Sequence, residues 1–215
     1  MKIVHYAWRY AVPLILLGSA LLAWNWYWLG IPVLVVAAWV IWFFRDPDRP
    51  IPRDKTAVIC PADGKICRIG EVAHPDFPGG RAKHVDIFMN VFNVHVQCGP
   101  MNAVVQRVEY RPGSFVNAEW NKASDENECN DLYLKTAHGP LLVRQIAGAV
   151  ARRIVCNSQR GDRLRRGEKY GLIRFGSRVE VYMPVDFEVT VKVGQRVKNT
   201  TTILGHAPAK KEGLR

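Results

Sequence analysis

Between Tyr10 and Phe44 the chain carries no charged residue. Such a run is far too long for a core strand and is enough for one long or two short membrane helices. Gly30 and Pro32 lie near its middle and predict a break there. The first half ends in the aromatic belt Trp24-Asn25-Trp26-Tyr27-Trp28, and the second runs from Pro32 through Trp39 to Phe44. Lys2 and Arg9 flank one end, Arg45 and Arg49 the other. If both flanks obey the positive-inside rule, residues 1–44 form a helical hairpin that enters the membrane from the cytoplasm and returns to it. The second half, at roughly fourteen residues, is short for a span, so a hairpin lying in the interface is the alternative. A cleaved signal peptide fits less well, because the apolar stretch is too long and no small-residue cleavage site follows it.

Residues 45–52, Arg45-Asp46-Pro47-Asp48-Arg49-Pro50-Ile51-Pro52, are charged and proline-rich, which predicts a linker to a domain spanning 53–215. That domain reads as β. Short alternating runs such as 84–89, 101–105 and 179–183 are separated by glycine and proline turns, and only 141–154 is ambiguous between strand and helix. The turn-rich stretches 161–171 and 193–200 resemble the hairpins of barrel-sandwich hybrid folds, without a lysine placed for carrier modification. The expected fold is therefore mainly β (α+β), a barrel-sandwich-hybrid-like domain behind an N-terminal hydrophobic helical hairpin.

Cys60, Cys67, Cys98, Cys129 and Cys156 are odd in number and contain no Cys-x-x-Cys pair, which argues against a disulfide framework or zinc site and for a reducing compartment. The net charge of +11 calls for an anionic partner, either acidic lipid or nucleic acid. No nucleic-acid motif accompanies the charge, and the apolar segment favours lipid.

Of three Gly-Ser pairs, Gly176-Ser177 interrupts two strand-like runs, 170–175 and 179–183. A glycine there reads by itself as a bulge. The surrounding run Lys169-Tyr170-Gly171-Leu172-Ile173-Arg174-Phe175-Gly176-Ser177-Arg178-Val179-Glu180-Val181-Tyr182-Met183-Pro184 closely resembles the processing site of the phosphatidylserine decarboxylase family in its short, archaeal-type form. Pro61-Ala62-Asp63-Gly64-Lys65-Ile66 resembles that family's aspartate motif, Asn93-Val94-His95-Val96 its histidine motif, and Lys122-Ala123-Ser124 with Asn127-Glu128 its central loop. These segments cover most of 45–205 in the family's order.

The resemblance implies a carboxy-lyase proenzyme. The Ser177 hydroxyl attacks the Gly176 carbonyl, the resulting ester eliminates, and hydrolysis leaves an N-terminal pyruvoyl group made from Ser177, with no metal and no external cofactor. A serine hydroxyl needs a base, and the base an orienting group; His95 and Asp63 match those roles. Taken singly, each has an ordinary reading, His95 as a strand histidine and Asp63 as a turn residue before glycine. The pyruvoyl ketone would take up the amine of phosphatidylserine as a Schiff base and accept the electrons released with carbon dioxide. The product is phosphatidylethanolamine. His95 is a candidate proton donor, but Phe92 stands where the longer bacterial form has a second histidine, so the donor is unassigned.

Ten Arg or Lys residues against Asp162 and Glu168 between Arg144 and Arg178 predict a basic face that holds the domain to anionic membrane at about one kcal/mol per residue. Fragments 1–176 and 177–215 are expected to stay associated at the cytoplasmic face of the cell membrane, with homo-oligomerisation open. The rival readings are a non-enzymatic, membrane-tethered lipid-binding domain and a related enzyme for another amino-acid head group.

Overall fold

A computed structural model describes residues 2–113, 127–148, 153–174 and 177–209. The chain divides into two compact units, Met1–Asp48 and Arg49–Arg215.

In the first unit, strand β1 (Lys2–Ile3) pairs antiparallel with β2 (Arg45–Asp46), and between them run helices α1 (Tyr6–Ala23) and α2 (Tyr27–Phe43). The break falls at Asn25, not at Gly30 and Pro32 as the sequence suggests. Asn25 adopts φ 61°, the left-handed region that asparagine tolerates better than most residues, and its side chain accepts a hydrogen bond from the Tyr27 hydroxyl at 2.8 Å. Gly30 instead serves helix packing. A Cβ on Gly30 would stand 3.1 Å from the Gly18 carbonyl oxygen, and one on Gly18 would meet the Leu34 side chain at 2.7 Å. Two bare backbones thus let the helices approach closely. Arg45 closes the unit, donating to the Trp42 carbonyl at 3.0 Å and covering that indole at 3.6 Å. By length and composition α1 can cross a membrane, and α2 is a slightly shorter apolar helix.

The second unit is built of β-strands, with one short 3-10 turn at Pro78–Gly80 among its described residues. Its strands are β3 (Ala57–Ile59), β4 (Gly64–Ala73), β5 (Arg81–Met89), β6 (Val96–Cys98), β7 (Ala103–Arg111), β8 (Cys129–Thr136), β9 (Gly139–Ala147) and β10 (Ile154–Cys156). There follow β11 (Arg163–Leu164), β12 (Lys169–Ile173), β13 (Ser177–Pro184), β14 (Glu188–Val189), β15 (Arg196–Val197) and β16 (Ile203–His206). The fold class expected from the sequence, mainly β behind a helical pair, is the one observed. Of the ambiguous stretch 141–154, the residues up to Ala147 continue β9 as strand and Ile154 opens β10, while 149–152 lie outside the described residues.

An eight-stranded antiparallel sheet runs in the order β11-β7-β8-β9-β13-β5-β4-β15, and two three-stranded sheets, β10-β12-β6 and β14-β16-β3, accompany it. Val85, Ile87, Val143, Val179, Val181 and Met183 from the large sheet share one core with Ile173 and Tyr170 of β12, and with Val58 and Leu204 of the third sheet. Strand alternation puts Ser177 on the same face as Val179 and Val181.

The opposite face of the same strands is charged yet buried. Arg178 Nη2 lies 3.0 Å from Glu180 Oε1, and the Tyr182 hydroxyl donates to Glu180 Oε2 at 2.6 Å. Across the sheet, Arg144 forks onto Asp131 at 2.6 and 2.8 Å, while Arg68 and His84 reach Asp86 at 2.8 and 2.7 Å. Arg144 and Arg178, counted above toward a basic surface, are therefore spent on internal carboxylates.

Candidate active site

Ser177 opens β13, fully buried, paired with Met89 of β5 on one side and Ala147 of β9 on the other. Its hydroxyl has one hydrogen bond among the described residues, donated to the Met89 sulfur at 3.6 Å. A thioether is a weak acceptor, so the hydroxyl is placed without being strongly held. Gly176, its expected partner in the scissile bond, lies outside the described residues, as does Lys122-Ala123-Ser124 of the central loop.

His95 sits one residue before β6 and is 2 % exposed. Its approach is shaped by an asparagine turn: the Asn90 side chain accepts from the Phe92 amide at 3.0 Å, and the Asn93 side chain accepts from the Asn90 amide at 2.9 Å. The turn leaves Phe92 exposed and puts the Asn93 carbonyl 3.0 Å from His95 Nδ1. A carbonyl only accepts, so Nδ1 carries the proton and Nε2 bears the lone pair of the neutral ring. The group that orients this imidazole is thus a backbone carbonyl of its own motif.

Asp63 precedes β4. A Cβ on the next residue, Gly64, would stand 2.2 Å from the Phe88 carbonyl oxygen, so only glycine lets β4 start here. The Asp63 carboxylate is gripped by the Arg49 guanidinium through both nitrogens, Nη2 at 2.9 Å, and accepts from the Asn199 amide at 2.8 Å. Asn199 in turn donates from its side chain to the Val96 carbonyl at 2.8 Å, the residue after His95. Neither Asp63 nor Ser177 hydrogen-bonds to the His95 ring. They are tied to its segment through intermediaries instead.

The second intermediary is an amide relay that the sequence reading missed. Gln97 donates to the His95 carbonyl at 2.8 Å and touches the Met89 sulfur at 3.8 Å. Gln145 donates to Gln97 at 3.0 Å, and Asn130 to Gln145 at 3.1 Å. One sulfur therefore faces both the Ser177 hydroxyl and the glutamine that holds the histidine strand. A signal existed: Gln97 lies between Val96 and Cys98 in an apolar run, where an amide is costly unless fully bonded. Arg49, read from sequence as a membrane flank and linker residue, gave no such hint.

Asn127 and Glu128 secure the strand beside Ser177. The Asn127 amide donates to the Ala147 carbonyl at 2.7 Å, and the Ala147 amide donates to the Glu128 carbonyl at 2.9 Å. The nearby thiols do not compete as nucleophiles. Burial pushes both Cys60 and Cys98 up, so neither presents a thiolate at neutral pH.

The sequence model of phosphatidylserine decarboxylase matches residues 36–205. The chain is 47% identical over 174 residues to the phosphatidylserine decarboxylase proenzyme of Burkholderia multivorans, covering 80% of this chain and 81% of that one. Against the proenzyme of Paraburkholderia phymatum the identity is 47% over 176 residues, covering 78% and 82%. Both relatives are decarboxylases by name, that is, carboxy-lyases. The chain belongs to the phosphatidylserine decarboxylase family.

Proposed function

We propose that the chain is a proenzyme that cuts itself between Gly176 and Ser177 and then decarboxylates phosphatidylserine to phosphatidylethanolamine. The observation that carries this reading is Ser177 itself, a fully buried hydroxyl at the start of a central strand whose one hydrogen-bond acceptor among the described residues is a thioether. A serine kept there for packing alone would do better as alanine, since a buried hydroxyl with so weak a partner costs stability.

In the cut, Ser177 Oγ attacks the Gly176 carbonyl carbon while His95 takes the hydroxyl proton at Nε2, the nitrogen left basic by the Asn93 carbonyl. The C–N bond breaks, giving an ester and a free amine. Loss of the Ser177 α-proton then expels the Gly176 carboxylate and leaves a dehydroalanine, and water converts that to a pyruvoyl group with release of ammonia. Asp63 is a positioning residue in this scheme. Held by Arg49, it fixes Asn199, which fixes the strand behind His95.

The surroundings of Ser177 suit the group so formed, because a methyl in place of the hydroxymethylene would rest on the Met89 thioether and beside Ala147. A pyruvoyl group supplies the electron sink that decarboxylation of an α-amino acid needs. The chain's own contribution is a site sealed from water and a histidine close to the same strands. Residues 1–44 attach the protein to the cytoplasmic face of the membrane, 45–52 link, and 53–215 form the catalytic part, with 1–176 and 177–215 remaining associated after the cut.

Denaturing mass spectrometry of the purified chain tests the proposal. Two fragments are expected, the smaller beginning at residue 177 with a blocked terminus, and Ser177→Ala should give one uncut species. A single intact wild-type chain sinks the reading.

A further inference from the structure

Asp63 opens onto a cavity of about 470 Å3 whose other walls include Lys65, Phe92, Asn93, Arg196 and Lys198. Its charge is unusual. β15 pairs with β4 so that Arg196 stands directly opposite Lys65, and Lys198 follows two residues on. Like charges placed across a strand pair repel and weaken the sheet. None of the three has an ion-pair partner among the described residues, and the one carboxylate in the cavity, Asp63, is already taken by Arg49. Such a trio gains most when an anion sits among it.

One wall carries an exposed aromatic side chain. Phe92 is 63% exposed, held outward by the Asn90 turn. A cation-lined cavity with an exposed aromatic side chain in its wall matches an amphiphile with its negative charge between a polar head and hydrocarbon. Asn93, whose carbonyl orients His95, lines the same cavity, so what enters it arrives next to the histidine motif.

We propose that this cavity binds the phosphodiester of a glycerophospholipid, with Lys65, Arg196 and Lys198 as the anion-binding groups and Phe92 on the acyl side. The assignment rests on the substrate reading above and adds the residues that grip it.

The test uses the full chain carrying Ser177→Ala, which binds without turnover, and follows binding of monomeric dihexanoyl phosphatidylserine by calorimetry. Adding Lys65→Gln, Arg196→Gln and Lys198→Gln together should weaken binding by about tenfold or more, each alone by less, whereas Lys55→Gln, outside the cavity, should change nothing. Glycerophosphoserine should compete and inorganic phosphate should not at equal concentration. Undiminished binding by the triple variant overturns the proposal. Equal competition by inorganic phosphate makes this a free-phosphate site, and a loss seen only on anionic vesicles assigns the cations to the membrane surface; either result overturns it too. Failure of the wild-type chain to cut itself would remove the enzymatic reading while this binding measurement still judged the cavity.

Discussion

The Ser177 hydroxyl points its proton at the Met89 sulfur, 3.6 Å away across the β5–β13 pair. A thioether can hold that hydroxyl in place and yet give it up cheaply to a better base. Met89→Leu, which conserves volume, should leave the rate of self-cleavage within about threefold, as a lost weak acceptor costs little. Met89→Gln places an amide oxygen there, and the stronger hydrogen bond should slow cleavage by about tenfold, the kinetic equivalent of about 1.4 kcal/mol. A time course of fragment formation measures both. Equal rates in the two variants would mean that the acceptor at this position does not govern the hydroxyl.

Glu180 is the hub of the polar face of β13. It is fully buried and takes Arg178 at 3.0 Å and the Tyr182 hydroxyl at 2.6 Å, with Arg144 and Arg68 at 3.8 and 3.9 Å. Burial and the Glu180 charge push the Tyr182 phenol up, which keeps it a donor. Glu180→Gln keeps the shape but strips the charge that balances Arg178, and should cost about 3 kcal/mol. The urea midpoint should fall at unchanged slope. A midpoint shift worth less than about 0.5 kcal/mol would show that the neighbouring carboxylates carry the balance instead.

His74 gives the fold a pH dependence. Burial lowers its pKa and Arg144 lowers it further, against an opposing pull from Asp76. The folded chain then holds this proton less tightly than the unfolded chain does. Its contribution to stability is full above the ordinary histidine range, near pH 6.5, and shrinks as pH falls, levelling off below the folded value. Between about pH 7.5 and about pH 5 the wild type should lose more in Tm than His74→Gln does. Parallel curves would remove His74 as the cause.

The parts of the fold that were legible are those written in local pattern. Alternation marked β5 and β13, and the charge-free run marked the helices. The hairpin turn was misplaced because Gly30 and Pro32 look like breakers, when Gly30 is a contact surface for Gly18 and a single asparagine at positive φ makes the turn. At the site, Ser177, His95 and Asp63 could be named from motifs, but their partners could not. Arg49 and Asn199 reach Asp63 from 14 and 136 residues away, and Gln145 reaches Gln97 across 48. Pairings at that range depend on which strands become neighbours, and nothing in the local sequence encodes it.

β13 is paired on both sides from its first residue, by β5 from Ser177 to Pro184 and by β9 from Ser177 to Tyr182. A peptide bond severed just ahead of such a strand would release no slack, because the residue that would become the new chain end is already sewn into the sheet on its left and its right. The two pieces would behave as a single woven fabric with one cut thread, and separating them would require unravelling the cloth. Isolated halves should therefore fail to recombine under native conditions, and the enzyme's working life should be set by the unfolding of the whole sheet.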